Sequence, residues 1–355
     1  MLDTDLSRWL DAEADDLDRG LRDAEEVLPQ LAAAGLFGLG VEQRLGGAGD
    51  DIRAAVRAIA AVAGHSLTAA FVLWGQRTFI EYLLHTDNAA LRERLLGELL
   101  SGELAGATGL SNAMKYLSGI EELGVRAAPN TAGWRLNGRL PWVTNLRRSG
   151  FVVAAAVELP GSAPFIAAIP DDLAGLARSE DLQLLGLQSS NTAALQIDAL
   201  QLERDWLLAG DARQYLPRVR PGFLGLQCGM TIGLTRRSLQ EVEGQLAAGR
   251  SVLEADWRDL RARLERCVAE LEQGLCAGRF LGEPASLFRL RIALAELAGQ
   301  AVQLELQASG GKAYLQQHGA GFARRLRESA FVPIVTPSLV QLRGELQRQA
   351  AGAGA

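Results

Sequence analysis

"GWRLNGRLPWVTN", residues 133–145, is the stretch on which the reading of this chain turns. It is a short run bounded by glycine, proline and asparagine, and similar runs lie on either side: "GFVVAAAVEL" (150–159), "PFIAAIP" (164–170) and "NTAALQIDALQL" (191–202). Such spacing is the mark of strands punctuated by turns, so residues 105–212 are expected to form a β-domain.

On the N-terminal side the period changes. "EEVLPQLAAAGLFGL" (25–39), "DDIRAAVRAIAAVAG" (50–64) and "LRERLLGELLSGEL" (91–104) repeat apolar residues every three or four positions. Amphipathic helices follow from that pattern, and residues 1–104 are expected to form a helical domain. The glycines of "QRLGGAG" (43–49) break it with a loop. On the C-terminal side long helical patterns return, and residues 213–347 are expected to form an antiparallel bundle. The last stretch, 348–355, ends in "AAGAGA" and is expected to be a disordered tail.

Composition limits the function classes. With 355 residues, 48 % of them apolar, the chain can bury a large core. A formal net charge of −6 argues against a general binder of nucleic acid or anionic membranes. The acidic, amphipathic N-terminus resembles neither a secretory nor a transit signal, and no apolar run reaches membrane-spanning length. Three cysteines without metal-ligand spacing fit a reducing compartment, so a cytoplasmic protein is expected. Three scattered histidines, His65, His85 and His318, make no metal site, and His318 reads as a loop residue.

Order and motifs together resemble one family. "LAAAGLFGLGVEQRLGGAG" (31–49) looks like the Gly-Leu … Gly-Gly-x-Gly segment of the acyl-CoA dehydrogenase superfamily, without the usual proline. "GWRLNGRLPWVTN" resembles that family's Gly-x-x-Leu-Asn-Gly-x-Lys-x-Trp-Ile-Thr-Asn, although the lysine is not kept. "GLQSSNTAALQIDALQLERDWLLAG" (186–210) is similar to its closing strands. "ASGGKAYLQQHGAGFARRLRES" (308–329) resembles its Gly-Gly-x-Gly-Tyr turn and Arg-Asp pair, with Glu328 replacing the aspartate. The resemblance spans nearly the whole chain. It implies a mainly α protein with a helical N-terminal domain, a middle β-barrel and a C-terminal antiparallel helical bundle, assembled as a homodimer or homotetramer.

The resemblance also implies a flavin, FAD or FMN, used in the α,β-dehydrogenation of an acyl-CoA ester or another small organic substrate. Trp142 is then set against the flavin ring, with the Thr144 hydroxyl at its reactive nitrogen and Thr108 at its pyrimidine edge. The ordinary reading of Trp142 and Thr144 is a strand tryptophan with a neighbouring threonine. The family's Thr-Glu-Pro-x-x-Gly-Ser-Asp aligns on Thr108, Gly109 and Leu110, then Ala113, Met114 and Lys115, so its serine and aspartate are absent. Gly310 and Gly311 either approach a dinucleotide of a neighbouring subunit or cap a helix. Arg250 either reaches that cofactor or is a solvated surface arginine.

For the base, ungapped alignment of "LRESAFVPIVTPS" (326–338) sets Thr336 where the family carries its glutamate and Ser338 on its threonine. A hydroxyl is too weak to take a carbon-bound proton without further activation. Val219 stands at the alternative position of that carboxylate, before Arg220, so the catalytic base is left unassigned. Thr336 and Ser338 either hold a ligand or flavin, or shape a turn. Three functions are compatible with this pattern: a dehydrogenase working with an electron-transfer flavoprotein, a monooxygenase or N-hydroxylase supplied by a flavin reductase, and a non-catalytic flavin- or ligand-binding relative.

Overall fold

The computed structural model describes residues 2–110, 113, 116 and 121–352. Among the described residues five α-helices precede the strands: α1 (Thr4–Arg19), α2 (Val27–Ala33), α3 (Ile52–Ala63), α4 (Leu67–Leu84) and α5 (Ala89–Ser101). Their starts follow from local chemistry. The Asp3 carboxylate accepts the amide hydrogens of Asp5 and Leu6, while the Asn88 side chain accepts that of Leu91. Helix α4 is buried at every position from Leu67 to Leu83 and forms the central post of the molecule.

Among the described residues eight strands follow: β1 (Ala105–Thr108), β2 (Val125–Pro129), β3 (Gly133–Val143), β4 (Phe151–Glu158), β5 (Phe165–Pro170), β6 (Leu176–Arg178), β7 (Ala193–Glu203) and β8 (Leu207–Ala209). They join in the order β6-β7-β3-β2-β4-β5-β8, with β1 parallel to β4. Because β2 is also parallel to β4 while the other pairs are antiparallel, the sheet is mixed.

The expected middle β-barrel is overturned: the terminal strands β6 and β8 do not pair, and the sheet stays open. The reason lies at the edge of β8. Thr86 Oγ1 donates to the carbonyl of Leu208 at 2.6 Å, and Asn88 Nδ2 to that of Leu207 at 3.0 Å, so side chains from the α4–α5 corner occupy acceptors that a closing strand would need. Terminal strands of three residues each also offer too little backbone for closure.

The C-terminal helices are Ala212–Gln245, Glu254–Cys276, Pro284–Ser309, Gln316–Phe331 and Leu339–Gly352, with a short turn of helix at Arg279–Gly282. The last continues to Gly352, so residues 348–352, expected in a disordered tail, are helical. Close approach of α3 to Ala212–Gln245 rests on small residues. A Cβ on Gly233 would lie 2.1 Å from the Ala60 carbonyl oxygen, and one on Gly229 would lie 2.7 Å from that of Val56. Among the described residues no helix is long and apolar enough to cross a membrane, and no cluster of potential metal ligands occurs.

Candidate functional site

Where α4, the sheet, the Ala212–Gln245 helix and the Val335–Thr336 turn converge, a cavity of about 630 Å³ opens. Of the residues expected to carry chemistry, Thr108, Trp142, Thr144 and Thr336 all line it. They come from β1, the end of β3 and the C-terminal turn, more than two hundred residues apart at the extremes.

The strand side is built from hydroxyls. Thr192 donates to Thr144 Oγ1 at 3.0 Å, the Ser190 and Thr192 hydroxyls lie 2.7 Å apart, and Thr144 donates to the Ser190 carbonyl at 3.2 Å. Thr108 Oγ1 is 2.9 Å from the Tyr82 hydroxyl, whose titration burial pushes up, so the phenol stays protonated at neutral pH. Trp142 projects from the strand with 60 % of its surface exposed, although it is a large apolar side chain.

Two buried amides fix that wall. Gln76 accepts the Gly106 amide at 2.6 Å and the Asn145 side-chain amide at 2.8 Å, while its own nitrogen donates to Leu99 and Leu104. This bolts α4 to β1 and to the residue after Thr144. Gly75 permits the approach: a Cβ there would already press on Thr144 and Asn145 at 3.3 and 3.2 Å.

The C-terminal turn is held from beneath by a buried guanidinium. Arg291 is fully buried, donates to Gln227 Oε1 at 2.8 Å and to the Val332 carbonyl at 2.6 Å, and Gln227 in turn donates to the Thr336 carbonyl at 2.9 Å. Burial pulls this guanidinium below the usual arginine range, and its Nη1 has no hydrogen-bond partner among the described residues. The network spends hydrogen-bonding capacity on backbone carbonyls and thereby sets where Thr336 stands.

Other expected residues lie elsewhere. Ser338 begins the last helix: its amide donates to Gln341 Oε1 at 2.6 Å, and its hydroxyl accepts the Gln341 amide at 3.4 Å, a reciprocal cap. Val219 is buried in the long helix and does not line the cavity. Arg250, Gly310 and Gly311 do not line it. Gly310 ends the Pro284–Ser309 helix at φ +59°, Gly311 continues into a tight turn, and Arg250 Nε donates to the Ala308 carbonyl at 3.2 Å. Met114 and Lys115, aligned on the divergent serine and aspartate motif, lie outside the described residues, and Ala113 is buried.

Sequence reasoning missed most of the inner wall. Phe71 and Trp74 of α4, Phe223 of the long helix and Phe331 at the end of Gln316–Phe331 all line the cavity. So does Arg327, which pairs with Asp18, and no Asp or Glu stands among the described lining residues. The rings carry the same apolar periodicity as ordinary core residues, so no sequence signal separated them.

Residues 6–103 match the family model described as acyl-CoA dehydrogenase, N-terminal domain. Among curated proteins, a probable acyl-CoA dehydrogenase of Mycobacterium leprae is 27 % identical over 200 residues, 55 % of this chain and 51 % of the relative. The chain spans about half the length of the curated relatives it matches. The fold extends further than the sequence likeness. A glutaryl-coenzyme A dehydrogenase solved with glutaryl-CoA superposes with a TM-score of 0.84 at 17 % identity, covering 98 % of this chain and 93 % of that one. A dibenzothiophene monooxygenase from Paenibacillus sp. A11-2 superposes at 0.78 with 16 % identity, covering 97 % and 94 %.

Proposed function

We propose that this chain is a flavin-dependent oxidoreductase, with FAD or FMN as its cofactor, acting on an acyl-CoA ester or a related small organic substrate. The observation that carries the reading is the cavity in which Trp142, Thr144 and Thr108 come together. An exposed indole face beside a row of hydroxyls suits a planar heteroaromatic ring with a polar edge, so the residues present fit a flavin. When bound, such a group accepts or delivers electrons as hydride equivalents. The chain's own contribution is to bind and orient. Trp142 supplies stacking surface, Thr144 and Thr192 supply hydroxyl contacts, Gln76 and Asn145 keep that wall rigid, and the ring-lined interior excludes water.

A second reading is favoured by one specific observation: the described lining holds no carboxylate, and Thr336 occupies the turn where the resembled family carries its base. Oxygenation through a reduced flavin needs no proton abstraction from carbon, and such an enzyme would draw on a flavin reductase rather than an electron-transfer flavoprotein. Anaerobic titration of the purified protein with a panel of acyl-CoA esters separates the two. Bleaching of the visible flavin bands by an ester supports dehydrogenation, whereas stable bands with oxygen uptake upon supply of reduced flavin support oxygenation. Protein that retains no flavin, oxidised or reduced, refutes both.

The Trp142→Ala variant tests the cradle directly. Loss of ring stacking is expected to weaken flavin binding about tenfold. Thermal stability is expected to stay nearly unchanged, because the side chain is mostly exposed. Equal flavin affinity in the variant would remove Trp142 from the site.

A further inference from the structure

We infer that the inner end of the cavity is a receptor for a planar, uncharged aromatic group, so that the substrate presents one or two fused rings there rather than a saturated chain. The inference rests on reading the cavity as the substrate chamber of a flavin enzyme. Its own support is the arrangement of the rings. Phe71 and Trp74 lie nearly parallel, 5.5 Å apart with 9° between planes. Phe331 meets Phe71 edge-on at 4.9 Å and 68°, and Phe223 meets Trp74 edge-on at 5.3 Å and 64°.

Three separate helices thus bring aromatic side chains to one lining, and the mixture of tilts offers a guest both ring faces and ring edges. Aromatic guests gain from such contacts beyond the burial of apolar area, because ring quadrupoles prefer offset and edge-to-face partners, while a saturated skeleton of the same size gains the area alone. The electrostatics point the same way. The one ionised side chain among the described lining residues, Arg327, is already bonded to Asp18, so a charged group at the ring-lined end would lose its water without a free counter-charge. Leu184, Leu187 and Val335 complete an apolar surround. Thr336, on the same lining, adds a hydroxyl for a single polar substituent of the guest.

Isothermal titration calorimetry of the full chain with 2-naphthol and with decahydro-2-naphthol, its saturated counterpart, tests this. The two share a skeleton and a hydroxyl and differ in planarity and π-electrons. The aromatic probe is expected to bind about tenfold more tightly. In Phe331→Leu and in Trp74→Leu the preference is expected to shrink to about twofold, because leucine keeps apolar volume without a ring. Phe331 is only half-buried, so its variant remains informative even if the one at Trp74 folds poorly.

Equal affinity for the two probes, or binding of neither, overturns the inference. So does a preference that survives both substitutions and disappears in Trp142→Ala, since the aromatic probe would then sit on β3. Flavin retention is read on the same samples by visible absorption. Absence of flavin with the ring preference intact defeats the redox reading alone, and retained flavin without the preference defeats this inference alone.

Discussion

Replacing Asp18 with alanine is expected to destabilise the protein by about 2–4 kcal/mol and to open the wall of the cavity. The Asp18 side chain is fully buried although it lies in an acidic surface helix. One carboxylate oxygen accepts the Leu187 amide at 2.9 Å; the other takes Arg327 Nε at 2.8 Å and Nη2 at 2.6 Å. Removing the carboxylate leaves a buried amide without an acceptor and a half-buried guanidinium without its anion. Leu187 also stands at φ +57°, a left-handed conformation that costs a non-glycine residue about 1–2 kcal/mol. The bond to Asp18 holds it there.

Both Leu187 and Arg327 line the cavity, so the loss is expected to reach ligand binding as well as stability. Urea denaturation measures the first and calorimetry with a cavity ligand the second. Asp18→Asn can still accept the Leu187 amide without supplying the charge, and is expected to fall between wild type and alanine. A cost below about 1 kcal/mol for the alanine variant would mean that the loop is held by other contacts.

Asp18 also marks a limit of reading from sequence. It belongs to "DAEADDLDRG" (11–20), a run whose composition speaks for a solvated helix face, and nothing local distinguishes the one buried carboxylate from its neighbours. The succession of helices, strands and helices was legible, because periods of 3.6 and 2 are properties of neighbouring residues. Closure of the sheet was not. It depends on whether the last strand finds the first, and here Thr86 and Asn88, far from β8 in sequence, take its acceptors.

The site divided along the same line. Trp142 and Thr144 could be singled out because they sit together in one phrase. Phe71, Trp74, Phe223 and Phe331 could not, because α4 is buried on every side and its rings satisfy the pattern of a core helix. Gln76 and Asn145 escaped notice for a related reason. A polar residue in an apolar helix shows its purpose only when its partners on other elements are known.

Thr336→Glu is expected to raise the rate of anaerobic flavin bleaching by an acyl-CoA ester by about 10²–10⁴ if the chain's chemistry is dehydrogenation. The position lines the cavity, and its backbone is fixed through Gln227 and Arg291, so the introduced carboxylate would project from a rigid turn. Among aromatic rings, desolvation raises the carboxyl pKa, which moves the group toward the range where a general base works at neutral pH. The same burial is expected to cost about 1–3 kcal/mol of stability once the group is ionised.

The sign follows from linkage. A folded-state pKa raised above the unfolded value leaves the variant nearest to wild type at low pH, below the unfolded pKa. The gap widens as pH rises through the folded pKa. Denaturation curves at several pH values check this apart from any catalysis. If the variant shows that pH-dependent penalty and retains flavin but bleaches no faster with any ester, the carboxylate is in place and the substrate is not one that yields an α proton. The described lining without a carboxylate would then be the working form of the site, leaving oxygenation through reduced flavin and ligand binding without catalysis, which oxygen uptake on supply of reduced flavin separates.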